Sequence, residues 1–385
     1  MSPFLKQLAV TMGIAVNMMG QGLTVGFAAI LLPQLRNAPH DIQIDEHSGS
    51  WIASIVGVAL PFGAFMIMPI MSQCGRRPAS IAAGVCYVVG WIGTVLSTGV
   101  PGLLVSRAFL GLGMGMAAAA SPAAVGEYAS PSRRGSLLAA IALAIATGAV
   151  SSHALGSLLS WRQTALTCAI LHFVGVIIIY HSPETPAYLA RRGCPEDCRR
   201  VFRWLRGNTE NEELDRMIET VEKEVKEETK RQEERSQLTF WQKAGSDFDN
   251  AIAIAKMQEF YKPMIIVMIL FLLNQWSGAN IMVAYAPDVI RAAMGDNVDV
   301  AAIMIALGLQ RLVSNMAVVL VIGRLRRRWA LAVTGALNVF ALLGIAWHCG
   351  SGGGKTVGGI LLHIHMFSLA TGTVPLPQVL AGELF

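Results

Sequence analysis

The chain has 385 residues, of which 54% are apolar and 14% charged, where soluble domains are about 25% charged; with a mean hydropathy of +0.51, a water-soluble globule is excluded. The formal net charge of +5 does not point to nucleic acid, because the Lys and Arg residues collect in short segments between apolar runs, where charge decides orientation in a bilayer. A hydrocarbon core about 30 Å thick takes roughly 20 residues at about 1.5 Å each, and many windows of this chain qualify. The composition predicts an all-α, polytopic membrane protein.

In chain order the apolar runs predict spans near 8–35, 51–72, 80–99, 103–126, 136–159 and 163–181, then, after a polar stretch, near 263–285, 299–322, 329–348 and 356–380. The run starting at Leu8 continues past Gly26 without a small-residue cleavage site, which reads as a retained span and not a removable signal peptide. Three regions follow: an N-terminal bundle of six helices over 1–181, a cytoplasmic helical insert over 182–262 and a second bundle over 263–385 that holds four spans, about ten in all. The insert is dense in Glu, Lys and Arg, as in Glu222-Lys223-Glu224-Val225-Lys226-Glu227-Glu228. Its charges nearly cancel, so it reads as solvated helices with i,i+4 pairs. The six cysteines are scattered, and Cys194 and Cys198, four apart, have no His or third Cys near them. They read as buried small residues and not as a disulfide or metal framework.

Adjacent spans alternate sides, so Arg76-Arg77, Arg133-Arg134 and Arg324 with Arg326-Arg327-Arg328 fall on one side, while Asp41, Asp45, Glu46, Asp288, Asp296 and Asp299 fall on the other. The excess of arginine predicts that the amino terminus and the insert face the cytoplasm. An arginine cluster follows the second span of each half, as expected of two repeated bundles with a substrate site at the midplane between them. Two sets of six would need twelve spans, and the sequence is still apolar at Gly382-Glu383-Leu384-Phe385. The expectation is a truncated chain, with two more apolar spans encoded after Phe385.

Five motifs stand in order. They are Cys74-Gly75-Arg76-Arg77; Arg107-Ala108-Phe109-Leu110-Gly111-Leu112-Gly113-Met114-Gly115 with Pro122, Glu127, Arg134 and Gly135; Ser182-Pro183-Glu184-Thr185-Pro186-Ala187-Tyr188-Leu189; Asn274-Gln275-Trp276-Ser277-Gly278-Ala279-Asn280; and Pro375-Leu376-Pro377 with Glu383. Together they resemble the sugar porter family of the major facilitator superfamily over essentially the whole chain. Within it, Pro-Glu-Thr-Pro followed by Trp204-Leu205-Arg206-Gly207 and a Glu-rich insert is similar to the arthropod facilitated trehalose transporters. The resemblance implies a major facilitator fold of two six-helix bundles. The implied activity is facilitated diffusion of a sugar, trehalose or a monosaccharide such as glucose, by alternating access. It implies no enzyme activity, cofactor or metal, a lipid bilayer and a small-molecule substrate as partners, no nucleic acid, no obligate protein partner, and a multi-pass place in the plasma membrane.

A sugar is uncharged and rich in hydroxyls, so its site needs amides that both donate and accept. Gln275 and Asn280, read as sharing one face of a single helix, fit that need, with Gly278 between them permitting a kink. The alternative is polar glue between helices. Tyr285 matches a family tyrosine that gates the outer side, and an interfacial role is equally open. The resemblance places Arg76, Arg77, Arg107, Glu127, Arg134 and Glu184, with Arg324, Arg327, Arg328 and Glu383, in a cytoplasmic gate that holds the inner side shut. Such charges are costly in lipid and should pair where helices meet water. No Asp or Glu lies between Leu8 and Leu35, which disfavours proton coupling and favours downhill uniport. Gly352-Gly353-Gly354-Lys355-Thr356 is only a fragment of a phosphate-binding loop.

The chain also departs from the family pattern. Arg311 stands where the family has a sugar-binding Asn, Ala142 and Asn274 stand where it has Gln, and Gln378 stands where it has Trp. Ser72 and Gly323 replace the Asp of the two arginine motifs. The substrate set is therefore Asn274, Gln275, Asn280, Tyr285, Arg311 and Gln378, and two further readings stay open: an organic-anion carrier in which Arg311 supplies the charge, and a non-transporting sensor or decayed copy.

Overall fold

The computed structural model describes residues 3–37, 42–207, 210–236, 256–321, 327–351 and 354–377. Among them all regular structure is helical, and ten helical stretches are long and apolar enough to cross a bilayer. The first six helices are α1 (Pro3–Arg36), α2 (Glu46–Gln73), α3 (Arg76–Leu96), α4 (Val100–Tyr128), α5 (Pro131–Leu158) and α6 (Trp161–His181). Three helices of the insert follow, α7 (Pro186–Arg191), α8 (Pro195–Arg206) and α9 (Asn211–Ser236). Then come α10 (Gln258–Trp276), α11 (Ala279–Ala284), α12 (Ala286–Met294), α13 (Val300–Val321), α14 (Arg327–Ser351) and α15 (Lys355–Ser368), the last continuing into a π-helical turn at Leu369–Thr373.

Local chemistry sets several of these ends. Helix α2 starts five residues before the apolar run because Asp45 caps it: the carboxylate accepts from the Ser48 amide at 3.0 Å, and the Ser48 hydroxyl accepts from the Asp45 amide at 3.0 Å. Ser160 and Gln163 cap α6 in the same reciprocal way. Prolines at the first turn of α4, α5, α7 and α8 cost no hydrogen bond, since those amides have no intrahelical partner.

Lipid-embedded helices gain little from hydrophobic exclusion and associate by close backbone approach. Gly111 and Gly115 of α4 do this against α2: a Cβ on Gly115 would lie 1.9 Å from the Leu60 carbonyl oxygen, and one on Gly111 would lie 2.5 Å from that of Val56. The residue between them on the other face, Gly113, lies against α3. Fully buried Phe27, Tyr87 and Trp91 fill the centre of the first bundle, with Phe27 edge-on to Trp91 at 5.1 Å between ring centres. By contrast Phe62, Phe65, Met66, Met68, Ile170 and Phe173 are exposed, the outward apolar surface that a bilayer would cover.

Two local expectations need correction. The span predicted as one helix over 263–285 is broken: α10 ends at Trp276, Gly278 takes a left-handed φ of 84°, and α11 restarts at Ala279. Glycine carries no Cβ penalty in that conformation. The six cysteines are not uniformly buried either, since Cys74 and Cys349 are exposed and Cys194 is half-buried; Cys74 closes α2 at a surface corner where no packing demands burial.

The two groups of long helices meet away from the insert. Gln7, near the start of α1, donates to the Leu205 carbonyl of α8 at 3.2 Å, so the far end of α1 marks the opposite face. There Ala29 of α1 enters the apolar core of α11–α15, and Arg36 lies 3.8 Å from Asp288 of α12. A Cβ on Gly308 of α13 would touch Val150 of α5 at 2.7 Å.

Candidate functional site

Three groups of residues bear on function. The first lies at the insert face. The Arg76 guanidinium pairs with Glu127 at 2.8 Å, with both side chains largely buried, and also donates to the Met71 carbonyl at 3.1 Å. Glu184 sits on the N-terminus of α3, accepting from the amides of Arg76 at 3.0 Å and Arg77 at 3.1 Å as well as from Thr185 at 2.9 Å. Helix N-termini favour anions because their first amides lack partners. Gly75 makes the approach possible: its φ is 105°, and a Cβ there would lie 2.3 Å from a Glu184 carboxylate oxygen. Burial nevertheless pushes the Glu184 carboxyl above its ordinary pKa, against the lowering effect of its backbone hydrogen bonds. The Arg77 guanidinium donates to the Tyr180 carbonyl and lies over the Tyr180 ring. Tyr188 and Tyr128 complete the corner by donating to the carbonyls of Gln73 and Pro183, each at 2.6 Å.

Of the remaining gate candidates, Arg134 is exposed and lines, with Glu127, Arg206 and Glu213, a cleft of about 330 Å³ at this face. Arg107 is not part of the network. It stands 20 residues before Glu127 on the same helix, about 30 Å away at 1.5 Å per residue. There its buried guanidinium donates to the carbonyls of Thr24 at 2.9 Å and Ile52 at 3.1 Å. A straight helix cannot bring both ends of one motif to one face, and Arg107 instead ties α1, α2 and α4 together. Arg328 is exposed; Arg324, Glu383 and Gln378, and the side chain of Arg327, lie outside the described residues.

The second group surrounds the break between α10 and α11. On a continuous helix, five residues turn through about 500°, which would leave Gln275 and Asn280 about 140° apart. The break corrects this, and the Asn280 amide donates to the Gln275 carbonyl oxygen at 2.9 Å. Both are exposed. Asn274 turns the other way and donates to the Thr373 carbonyl at 2.9 Å, in the π-helical turn. Beneath them runs a buried chain: Asn338 of α14 donates to the Ser277 carbonyl at 3.3 Å, the His365 ring nitrogen lies 2.7 Å from the Asn338 side-chain oxygen, and the Ser368 hydroxyl reaches that oxygen at 3.1 Å. This chain holds the broken helix against α14 and α15.

The third group lines a cavity where the bundles meet, bounded by Val150 and His153 of α5, Val283 of α11, and Leu307 and Arg311 of α13. Tyr285, between α11 and α12, is half-buried and packs on the core of the first bundle, so it lies across the same join.

Comparison with known proteins matches this arrangement. A family model described as sugar (and other) transporter matches residues 7–385. The chain belongs to this transporter family. Its members are transporters and not enzymes. A facilitated trehalose transporter, Tret1, of Apis mellifera ligustica is 24% identical over 390 residues, covering 99% of this chain and 74% of that protein. The facilitated glucose transporter member 8 of solute carrier family 2 from Mus musculus is 23% identical, over 85% of this chain and 63% of that one. A partially occluded, inward-open structure of the xylose transporter XylE from E. coli superposes with a TM-score of 0.72 at 17% identity, covering 98% of this chain and 88% of that one. The proton:xylose symporter XylE bound to 6-bromo-6-deoxy-D-glucose gives 0.74 at 17%, covering 98% and 82%. The fold is that of the major facilitator superfamily.

Several residues of this sugar-transporter-family chain escape a reading by motif. Arg206 is buried, donates to the Ala129 carbonyl at 2.6 Å, and pairs with Glu213 at 2.8 Å; the stretch Trp204-Leu205-Arg206-Gly207 marked it as part of a resemblance but gave it no role. His153, Asn338 and His365 were detectable as polar residues inside apolar runs, but nothing in the sequence pairs them.

Proposed function

We propose that this protein carries a neutral sugar down its gradient by alternating access, the two bundles rocking about a site between them. The supporting observation is positional. The contacts that join the bundles sit at the ends of α1 and α5 remote from the insert, while the charged network of Arg76, Glu127 and Glu184 braces the insert face within the first bundle. A carrier held closed on one face, with its switching charges on the other, needs only to exchange which face is closed.

The exposed Gln275–Asn280 pair, set at a helix break, supplies uncharged groups that donate and accept, as hydroxyl recognition demands. Asn274 serves a different purpose in this reading, anchoring the π-helical turn that follows α15. Arg107 is a brace of the first bundle and no part of the gate. Trehalose and glucose are the first solutes to try, and the plasma membrane, with the amino terminus in the cytoplasm, is the proposed location.

The test is uptake of labelled trehalose and glucose by vesicles holding the reconstituted protein. Uptake should saturate, run down the gradient in either direction and ignore an imposed pH difference. Gln275→Ala should raise KM or abolish uptake. Vesicles that stay empty of every sugar would defeat the proposal, and a Gln275→Ala variant with unchanged kinetics would remove that residue from the site.

A further inference from the structure

The cavity between the bundles has a chemistry that a neutral sugar does not explain. Among the described residues every side chain in its lining is apolar except two, His153 and Arg311, and no carboxylate is among them. His153 is more than nine-tenths buried, and among the described residues neither ring nitrogen makes a hydrogen bond of full geometry. Arg311 is half-buried at the middle of α13 and takes part in no ion pair among the described residues. Of the helices that line the cavity, α5, α11, α13 and α15 contain no Asp or Glu, and the carboxylate of α12, Asp288, is paired with Arg36 at 3.8 Å. A guanidinium at membrane depth is costly unless paired, and a planar five-donor fork suits a carboxylate better than a hydroxyl.

We infer that Arg311 and His153, facing the cavity from opposite bundles, bind the carboxylate of a polyhydroxy acid such as a hexuronate, whose hydroxyls meet the neutral amides. This rests on the sugar reading above and narrows its substrate class. In the closed arrangement the cavity measures about 20 Å³, room for about one water. A solute therefore enters only as α5 and α13 part, and the two basic groups are carried on different moving bodies. An anion bridging them would draw the bundles together, coupling occupancy to closure.

The test measures binding of D-glucuronate, D-glucose and propionate to the purified protein by calorimetry, with thermal melting as a check on folding. Glucuronate should bind at least about tenfold more tightly than glucose, the margin expected of one charge-assisted contact, and propionate should bind weakly. Arg311→Gln should erase that margin, so that glucuronate no longer binds more tightly than glucose, Arg311→Lys should retain part of it, and His153→Gln should lose part of it. Removing an unpaired charge should not lower the melting temperature, so loss of binding is not loss of fold. Glucose binding that equals glucuronate binding and ignores Arg311→Gln would overturn the inference and leave the sugar reading intact. Propionate binding as well as glucuronate would overturn the polyhydroxy requirement. Binding of neither sugar would defeat both readings together.

Discussion

The buried guanidinium of Arg206, at the end of α8, donates to the Ala129 carbonyl at 2.6 Å and to that of Glu127 at 3.3 Å. Ala129 closes α4, so a residue of the insert satisfies carbonyls left over at the end of a membrane helix. Glu213 and Glu210 hold the same side chain from α9 and the turn before it, and Phe202 lies under it at 4.6 Å. The insert is thereby docked on the same helix end that carries Glu127.

Arg206→Leu should undock the insert. Removing the buried guanidinium leaves the Ala129 carbonyl without its donor, at a cost of about 1–3 kcal/mol, while the partly exposed Glu210 and Glu213 stay in contact with water. The expected result is a lower melting temperature in detergent and faster proteolysis between Arg206 and Ser236. Equal proteolysis of variant and parent would show that the apolar contacts of Cys198, Phe202, Leu214 and Ile218 hold the insert without Arg206.

The Arg76–Glu127 pair should show strong energetic coupling. With the side chains only 13% and 19% exposed, each single change leaves the other charge buried, so Arg76→Ala and Glu127→Ala should each cost about 3 kcal/mol. The double change should cost clearly less than the sum. Additive melting shifts would mean that the two side chains are stabilised independently.

Glu184 supplies a pH dependence whose sign is fixed by its burial. Its folded pKa lies above the ordinary carboxylate value, so the folded state takes up a proton before the unfolded state does. The resulting stability is present below the unfolded pKa and is lost as pH rises through the raised folded value. Relative to Glu184→Gln, the parent should gain melting temperature as pH falls through that window. A constant difference between the two proteins across the window would show that the carboxyl is not perturbed.

Gly278→Ala tests the helix break. A Cβ at φ 84° costs about 1 kcal/mol or more in the left-handed region, while the space itself is open, with His365 no nearer than 3.7 Å. The strain should shift the Gln275–Asn280 pair and weaken sugar binding, with a small fall in melting temperature. A Gly278→Asn variant, which tolerates the left-handed region better, should recover part of the loss.

Much of this protein was written along the chain. Apolar runs of about 20 residues must become helices in lipid, where no other element satisfies its own backbone, so the spans, the polar insert between them and the family itself were legible from composition and motif. The arginine-carboxylate partners at the insert face, Arg76 with Glu127 and the α3 amides with Glu184, were legible as residue types, because charges at membrane ends need partners. Only the tertiary structure decided which charge meets which. Arg107 shares a motif with Gly111 and Gly115 yet ends on α1 and α2, since a helix separates residues by a fixed rise. Arg206 reached the end of α4, His153 came to share a cavity with Arg311, and Gln275 met Asn280 only through the turn at Gly278, because contacts between helices depend on crossing and rotation, which no one-dimensional spacing records.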